Sequence, residues 1–129
     1  MRILYIEDNE ANFTLVRKVL EASGMAKVER AETGEDGLAW LDEQRPDLVL
    51  LDLDLPGISG FEVATRMQAD PKLATIPIVA ISASVMKRER DQALEAGCMA
   101  FIEKPFDIGR LRTIVSAVVA ADDDDARED

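Results

Sequence analysis

Polar residues able to do chemistry stand directly after short apolar runs in this chain. Glu7-Asp8 follows RILYI, Asp52 follows LVLL, Ser82 follows IVAI, and Glu103-Lys104-Pro105 follows AFI. Runs of that length and type read as strands, which sets these residues at strand carboxyl ends, where open parallel sheets gather their ligands. The carboxylates of Glu7, Asp8 and Asp52 brought to one crevice repel one another and raise each other's pKa unless a hard cation neutralises them. Mg²⁺ fits, with Mn²⁺ as a possible substitute, because such ions prefer oxygen ligands, and Mg²⁺ typically takes one or two protein carboxylates together with phosphate. Cation and lysine would then share the charge of a transferring phosphoryl group, leaving one carboxylate as nucleophile. Asp52, set between the other groups, is that carboxylate.

The elements that must hold these groups are also legible. Strands are predicted at residues 3–6, 28–31, 48–51, 78–81 and 100–102, alternating with segments of helical period, the signature of an α/β fold with a mainly parallel sheet. Four of the strands are nearly continuous apolar runs, as expected of strands covered on both faces; the second contains Glu29 and Arg30 and reads as an edge strand. Leu15, Val16, Val19 and Leu20 form one helical stripe, and Leu111, Ile114, Val115 and Val118 another. Thr33 and Asp107 are the expected N-caps of the second and fifth helices, and Gly24 and Gly97 mark where the first and fourth stop. The fourth helix, about residues 86–96, has only Met86, Ala93 and Leu94 as its main apolar residues, so it is expected to be easily displaced.

A length of 129 residues points to one domain, 1–121, followed by an acidic segment, 122–129, expected to be a disordered, solvated tail. A net charge of −11 is the wrong sign for direct nucleic-acid binding. No apolar stretch reaches the roughly 20 residues of a membrane span, and the charged start does not resemble a signal peptide, so membrane insertion is not expected and the location is read as cytoplasmic. A single cysteine, Cys98, and no histidine exclude an internal disulfide, Cys-based metal clusters and the usual zinc and His-base chemistries. Any metal site is therefore made of oxygen. Cys98 and Trp40 read as packing residues.

The segments LVLLDLDLPGISG, YIEDN, AISAS and FIEKPF, in their order and at strand ends, resemble the receiver domains of two-component response regulators over about residues 2–120. The resemblance implies a doubly wound, flavodoxin-like five-stranded parallel sheet of order 2-1-3-4-5 with five helices. It implies phosphorylation of Asp52, with Asp8 a direct Mg²⁺ ligand, Glu7 an acid acting through metal-bound water, and the backbone carbonyl of Asp54 a further ligand. Lys104 matches the lysine that pairs with phosphoryl oxygens, and Ser82 the hydroxyl that moves to the phosphate. Phe101 matches the aromatic switch residue, though it lacks the phenolic hydroxyl of many relatives. Ala83 matches the small residue that leaves access to the phosphoryl group, and Lys104-Pro105 the peptide bond that is typically cis. Asp54 and Ser84 occupy positions that tune how long the phosphoryl group is kept; Asp54 also reads as a turn former before Pro56-Gly57.

The implied partners are a sensor histidine kinase or a histidine phosphotransfer protein as donor, with acetyl phosphate a small alternative, and a downstream protein target. The signal leaves through the surface of the fourth helix, fifth strand and fifth helix, as in a single-domain, phosphorelay-type regulator that is not a multiple-turnover enzyme. A haloacid dehalogenase-type phosphatase shares the Asp-x-Asp spacing of Asp52-Leu53-Asp54, but it opens its fold with that strand and places the metal-binding acids last. A pseudo-receiver used only for docking is disfavoured by the full set of acids, Ser82 and Lys104. A dinucleotide fold is disfavoured because no G-x-G-x-x-G follows the first strand.

Overall fold

A computed structural model describes residues 1–24, 26–83, 86–105 and 107–128, with the side chains of 119 and 121–128 excepted. In chain order the elements are β1 (Arg2–Ile6), α1 (Glu10–Ala22), β2 (Lys27–Ala31), α2 (Gly34–Glu43), β3 (Leu48–Asp52), α3 (Gly60–Ala69), β4 (Ile78–Ser82), α4 (Lys87–Glu95), β5 (Ala100–Glu103) and α5 (Ile108–Glu128). The five strands form one parallel sheet in the order β2-β1-β3-β4-β5. This is the doubly wound, flavodoxin-like fold expected from the sequence. Glu29 and Arg30 lie on β2, at the sheet edge, where charged side chains can reach solvent.

Alternation along the strands divides the core in two. Leu4, Ile6, Val49, Leu51, Ile78 and Ala80 face α2, α3 and α4, while Ile3, Tyr5, Leu48, Leu50, Val79 and Ile81 face α1 and α5. Every residue of β3 and β4 is buried, so Asp52 and Ser82, the last residues of those strands, are drawn out of water with them. Thr33 caps α2 through the Asp36 N–H, and Asp107 accepts from the Arg110 N–H at the start of α5. Gly24 and Gly97 take φ of +74° and +102° where α1 and α4 end, a conformation that favours glycine.

The stripes hold with one correction and one extension. On α1 the buried set is Phe13, Val16 and Leu20, whereas Leu15 is 42% exposed, because residues one apart on a helix point about 100° apart. α5 buries Leu111, Val115 and Val118 and continues to Glu128, so its backbone carries helix through most of the acidic segment where no helix was expected. Asp and Ala tolerate helical geometry, although aspartates at a C-terminus oppose the macrodipole. α4 is held weakly. It buries only Ala93, while α3 buries Val63, Ala64 and Met67. Burying a methyl is worth about 0.8 kcal/mol, against about 1.5–3 kcal/mol for a Val or Met side chain. Among the described residues no helix is long and apolar enough to cross a membrane.

Candidate functional site

The parallel register brings the carboxyl ends of β1, β3, β4 and β5 to one edge of the sheet: Ile6 pairs with Leu51, Asp52 with Ile81, and Ser82 with Glu103. One carboxylate oxygen from each of Glu7, Asp8 and Asp52 lies within 4.8 Å of the others. Their surroundings differ sharply. Glu7 is fully buried, with Oε2 accepting from the Tyr5 hydroxyl at 2.8 Å and Oε1 from the Asn9 N–H at 3.1 Å. Asp52 is 1% exposed; its Oδ2 accepts from Lys104 Nζ at 3.0 Å and its Oδ1 from the Asp54 N–H at 2.8 Å. Asp8 is exposed, and among the described residues no hydrogen bond or ion pair holds its carboxylate.

Those surroundings set the charges. Burial pushes the Asp52 carboxyl up to about 6, against the pull of the Asp54 N–H and Lys104. Burial also raises Glu7, but the Tyr5 hydroxyl and the Asn9 N–H outweigh it, with help from Asp52 and Lys104, and the carboxyl rests below its ordinary value. Burial lowers Lys104, yet Asp52 and Glu7 together hold it above its ordinary value. Its Nζ stands 3.3 Å from Glu7 Oε2, bridging the two buried acids. Tyr5 is pushed far up by burial and then by Glu7, so its hydroxyl stays a donor. An all-oxygen donor set of three clustered carboxylates, one of them unheld and another pushed up by desolvation, fits a hard divalent cation.

Two donors follow at the end of β4. The Asp54 carboxylate accepts from Ser82 Oγ at 3.1 Å and from the Ala83 N–H at 3.1 Å, so an exposed acid spans from β3 to β4 over the site. Asp54 therefore does more than shape a turn. Ser84 lies outside the described residues. The Lys104-Pro105 peptide is cis, and the Lys104 N–H donates to the Ser82 carbonyl at 2.8 Å, tying β5 to β4 beside Asp52. Gly60 packs against the end of β3: a Cβ there would lie 2.4 Å from the Asp52 carbonyl oxygen.

Phe101 is buried and packs in the core on the α4 side of the sheet. The Arg90 guanidinium lies 5.8 Å from the ring centroid and also pairs with Glu103 at 2.8 Å. Arg110 donates to the Phe101 carbonyl at 3.0 Å. These residues line an open groove of about 550 Å³ along α4, β5 and α5, apart from the acidic cluster. Sequence reasoning gave no role to two residues that shape the site. Tyr5 lies two residues before Glu7, on the same strand face, a period-two relation readable in the sequence. Arg30 reaches from β2 to the β1–α1 loop, and its charge within a strand was read only as an edge signal. Cys98 is buried, its thiol pushed up to about 11 by desolvation, and Trp40 packs on the core beneath Arg2.

Comparison with known proteins agrees with this geometry. The family model of the response regulator receiver domain matches residues 3–116. The polar-differentiation response regulator DivK of Brucella anthropi is 39% identical over 115 residues, covering 88% of this chain and 93% of that protein. A putative response regulator from Chloroflexus aurantiacus superposes with a TM-score of 0.87 at 28% identity, covering 92% of this chain and 97% of that one. The receiver domain of the Pseudomonas aeruginosa sensor histidine kinase PA1611, solved with a magnesium ion coordinated in its active-site cleft, gives a TM-score of 0.83 at 28% identity and the same coverage.

Proposed function

Since the chain belongs to the response regulator receiver domain family, we propose that it accepts a phosphoryl group on Asp52 and signals by a change of shape. The observation that carries this reading is the setting of Asp52: a buried carboxylate at the end of β3, held by Lys104 and the Asp54 N–H and gathered with Glu7 and Asp8. Asp8, Asp52 and the backbone carbonyl of Asp54 would hold Mg²⁺ directly, with Glu7, already engaged by Tyr5, Asn9 and Lys104, acting through water. Bound there, the cation would neutralise the clustered acids and the charge on the transferring group.

An Asp52 oxygen attacks phosphorus in line as the bond to the donor breaks, the donor being a phosphohistidine of a kinase or phosphotransfer protein, or acetyl phosphate. Lys104 balances the new charge, while Ser82 Oγ and the Ala83 N–H, now held by Asp54, would turn to it, and the small Ala83 side chain leaves the approach open. Asp52 is thus both substrate and nucleophile, and turnover is limited to the chain's own phosphorylation and dephosphorylation. The added charge of about −1.5 to −2 shifts an existing equilibrium in which Ser82, Phe101 and the thinly anchored α4 move, altering the α4–β5–α5 surface met by a target protein in the cytoplasm. Asp54 and Ser84 set how long the group persists: Asp54→Asn and Ser84→Ala change the dephosphorylation rate, and unchanged rates would remove both from this role.

The test is intact mass after incubation with acetyl phosphate and Mg²⁺. Wild type gains one phosphoryl group and Asp52→Asn does not; equal gain by the mutant overturns the assignment, and multiple turnover of a phosphate ester would favour a phosphatase.

A further inference from the structure

Glu7 and Asp52 are locked by hydrogen bonds, but Asp8 is not: among the described residues no side chain holds its carboxylate, so its aim depends on its backbone. That backbone is gripped from the neighbouring strand. Arg30 donates from Nε to the Glu7 carbonyl at 3.1 Å and from Nη2 to the Asp8 carbonyl at 2.9 Å. These two carbonyls belong to the peptide planes on either side of the Asp8 Cα. With each plane rigid, holding both fixes φ and ψ of Asp8 and hence the direction of its Cα–Cβ bond. The guanidinium is itself held, over the Phe13 ring at 5.7 Å and beside Glu32 at 3.4 Å, and the side chain is only 19% exposed.

We propose that Arg30 is a positioning residue for the cation site, aiming Asp8 by forking across the two carbonyls that flank it. The inference rests on the metal-site reading above. The planar guanidinium presents divergent N–H groups at a fixed spacing, which a lysine ammonium on its flexible stem cannot reproduce. Both carbonyls can be hydrated if the arginine is removed, because β2 is an edge strand, so the loop loses its aim while the sheet keeps its pairing.

The experiment is calorimetric titration of the metal-free protein with Mg²⁺, for wild type, Arg30→Gln and Arg30→Lys, with melting curves in chelator. Arg30→Gln is expected to weaken Mg²⁺ binding about tenfold, the usual scale for removing a group that orients a metal ligand. Arg30→Lys keeps the charge and is expected to recover only part of that loss. Amide hydrogen exchange at Asp8 and Asn9, measured without metal, is expected to quicken in both variants while the β3 and β4 amides stay protected. Full affinity in Arg30→Lys would show that the planar fork is not needed and overturn the proposal, as would unchanged affinity in Arg30→Gln. Should Arg30→Gln melt too low to titrate, the Lys variant and its exchange rates decide. Absence of Mg²⁺ binding by wild type would instead remove the metal-site reading, and this inference with it.

Discussion

Replacing Asp54 with alanine is expected to tighten the grip on a phosphoryl group. The Asp54 carboxylate now accepts from Ser82 Oγ and the Ala83 N–H, each at 3.1 Å, and these are the donors that a phosphoryl group on Asp52 would recruit. The two acceptors compete, so part of the phosphoryl group's interaction energy goes to displacing Asp54. A hydrogen bond to a charged acceptor contributes about 1.5–3 kcal/mol when sheltered, but Asp54 is exposed, and about 0.5–1 kcal/mol per bond is the appropriate scale. Two bonds then amount to about 1–2 kcal/mol, or roughly 5–30-fold in an equilibrium constant. Removing a negative charge beside the incoming anion acts in the same direction. The Asp54 N–H that holds Asp52 Oδ1 belongs to the backbone and survives the substitution. The assay is titration with beryllium trifluoride, a noncovalent stand-in for the phosphoryl group, at saturating Mg²⁺. Asp54→Ala is expected to bind several-fold to about 30-fold tighter than wild type, with Asp54→Asn between them. Affinity equal to wild type, or weaker, would refute the competition.

Three further outcomes follow from the same geometry. Asp52 sits at about 6 against an ordinary 3.8, so between those pH values the native state binds more protons than the unfolded chain, and stability falls as pH rises through that window. Metal-free Asp52→Asn is therefore expected to be the more stable protein at pH 7.5 by on the order of 1–3 kcal/mol, reduced by loss of the Lys104 pair, with the gap closing by about pH 4; denaturant melts in chelator at both pH values check this. Gly60→Ala would put a Cβ 2.4 Å from the Asp52 carbonyl oxygen and 2.6 Å from Leu53 Cα, backbone that cannot turn aside, and is expected to cost about 1–3 kcal/mol in urea unfolding and to weaken Mg²⁺ binding. Ending the chain at residue 121 tests 1–121 as the folding unit: among the described residues Val118 is the last of α5 in the core, and the melting temperature is expected to move by less than about 1 °C.

The fold was legible because strands buried on both faces leave long apolar runs, and the site was legible because its polar residues interrupt those runs at their carboxyl ends. Asp52 and Ser82 each prove to be the last residue of a strand, where the sequence had ended the strand one residue earlier. Burial of the neighbouring strands extends the ladder through a polar residue that propensity alone would leave in the loop. What the sequence did not show is contact across the sheet edge. Asp54 lies in the turn after β3, and its reach to Ser82 and Ala83 depends on strand spacing and loop direction. Arg30 acts on a loop 22 residues away in the chain, a pairing that only the parallel register of β1 and β2 creates. The helical course of residues 122–128 was missed because a run of aspartates carries no apolar period.

The adjacent acids that follow β1 have opposite fates: Glu7 is buried and Asp8 exposed. Glu7 shares a face with Tyr5 and turns inward, where Tyr5, Asn9 and Lys104 offset the cost of burying its charge. Asp8 turns outward and keeps its carboxylate unheld. The partition gives the cluster one acid whose charge is fixed by the protein, one whose charge is available to a ligand, and, in Asp52, one that desolvation keeps close to neutral at mildly acid pH. Were Glu7 as loosely held as Asp8, the three carboxylates would share protons and Lys104 indiscriminately, and Asp52 would have no preferred state. Because Glu7 holds part of Lys104 before any phosphoryl group arrives, Lys104 reaches Asp52 without neutralising it fully. The remaining charge deficit is what a cation at Asp8 and Asp52 would supply, and Tyr5, by holding Glu7 below its ordinary value, contributes to that deficit.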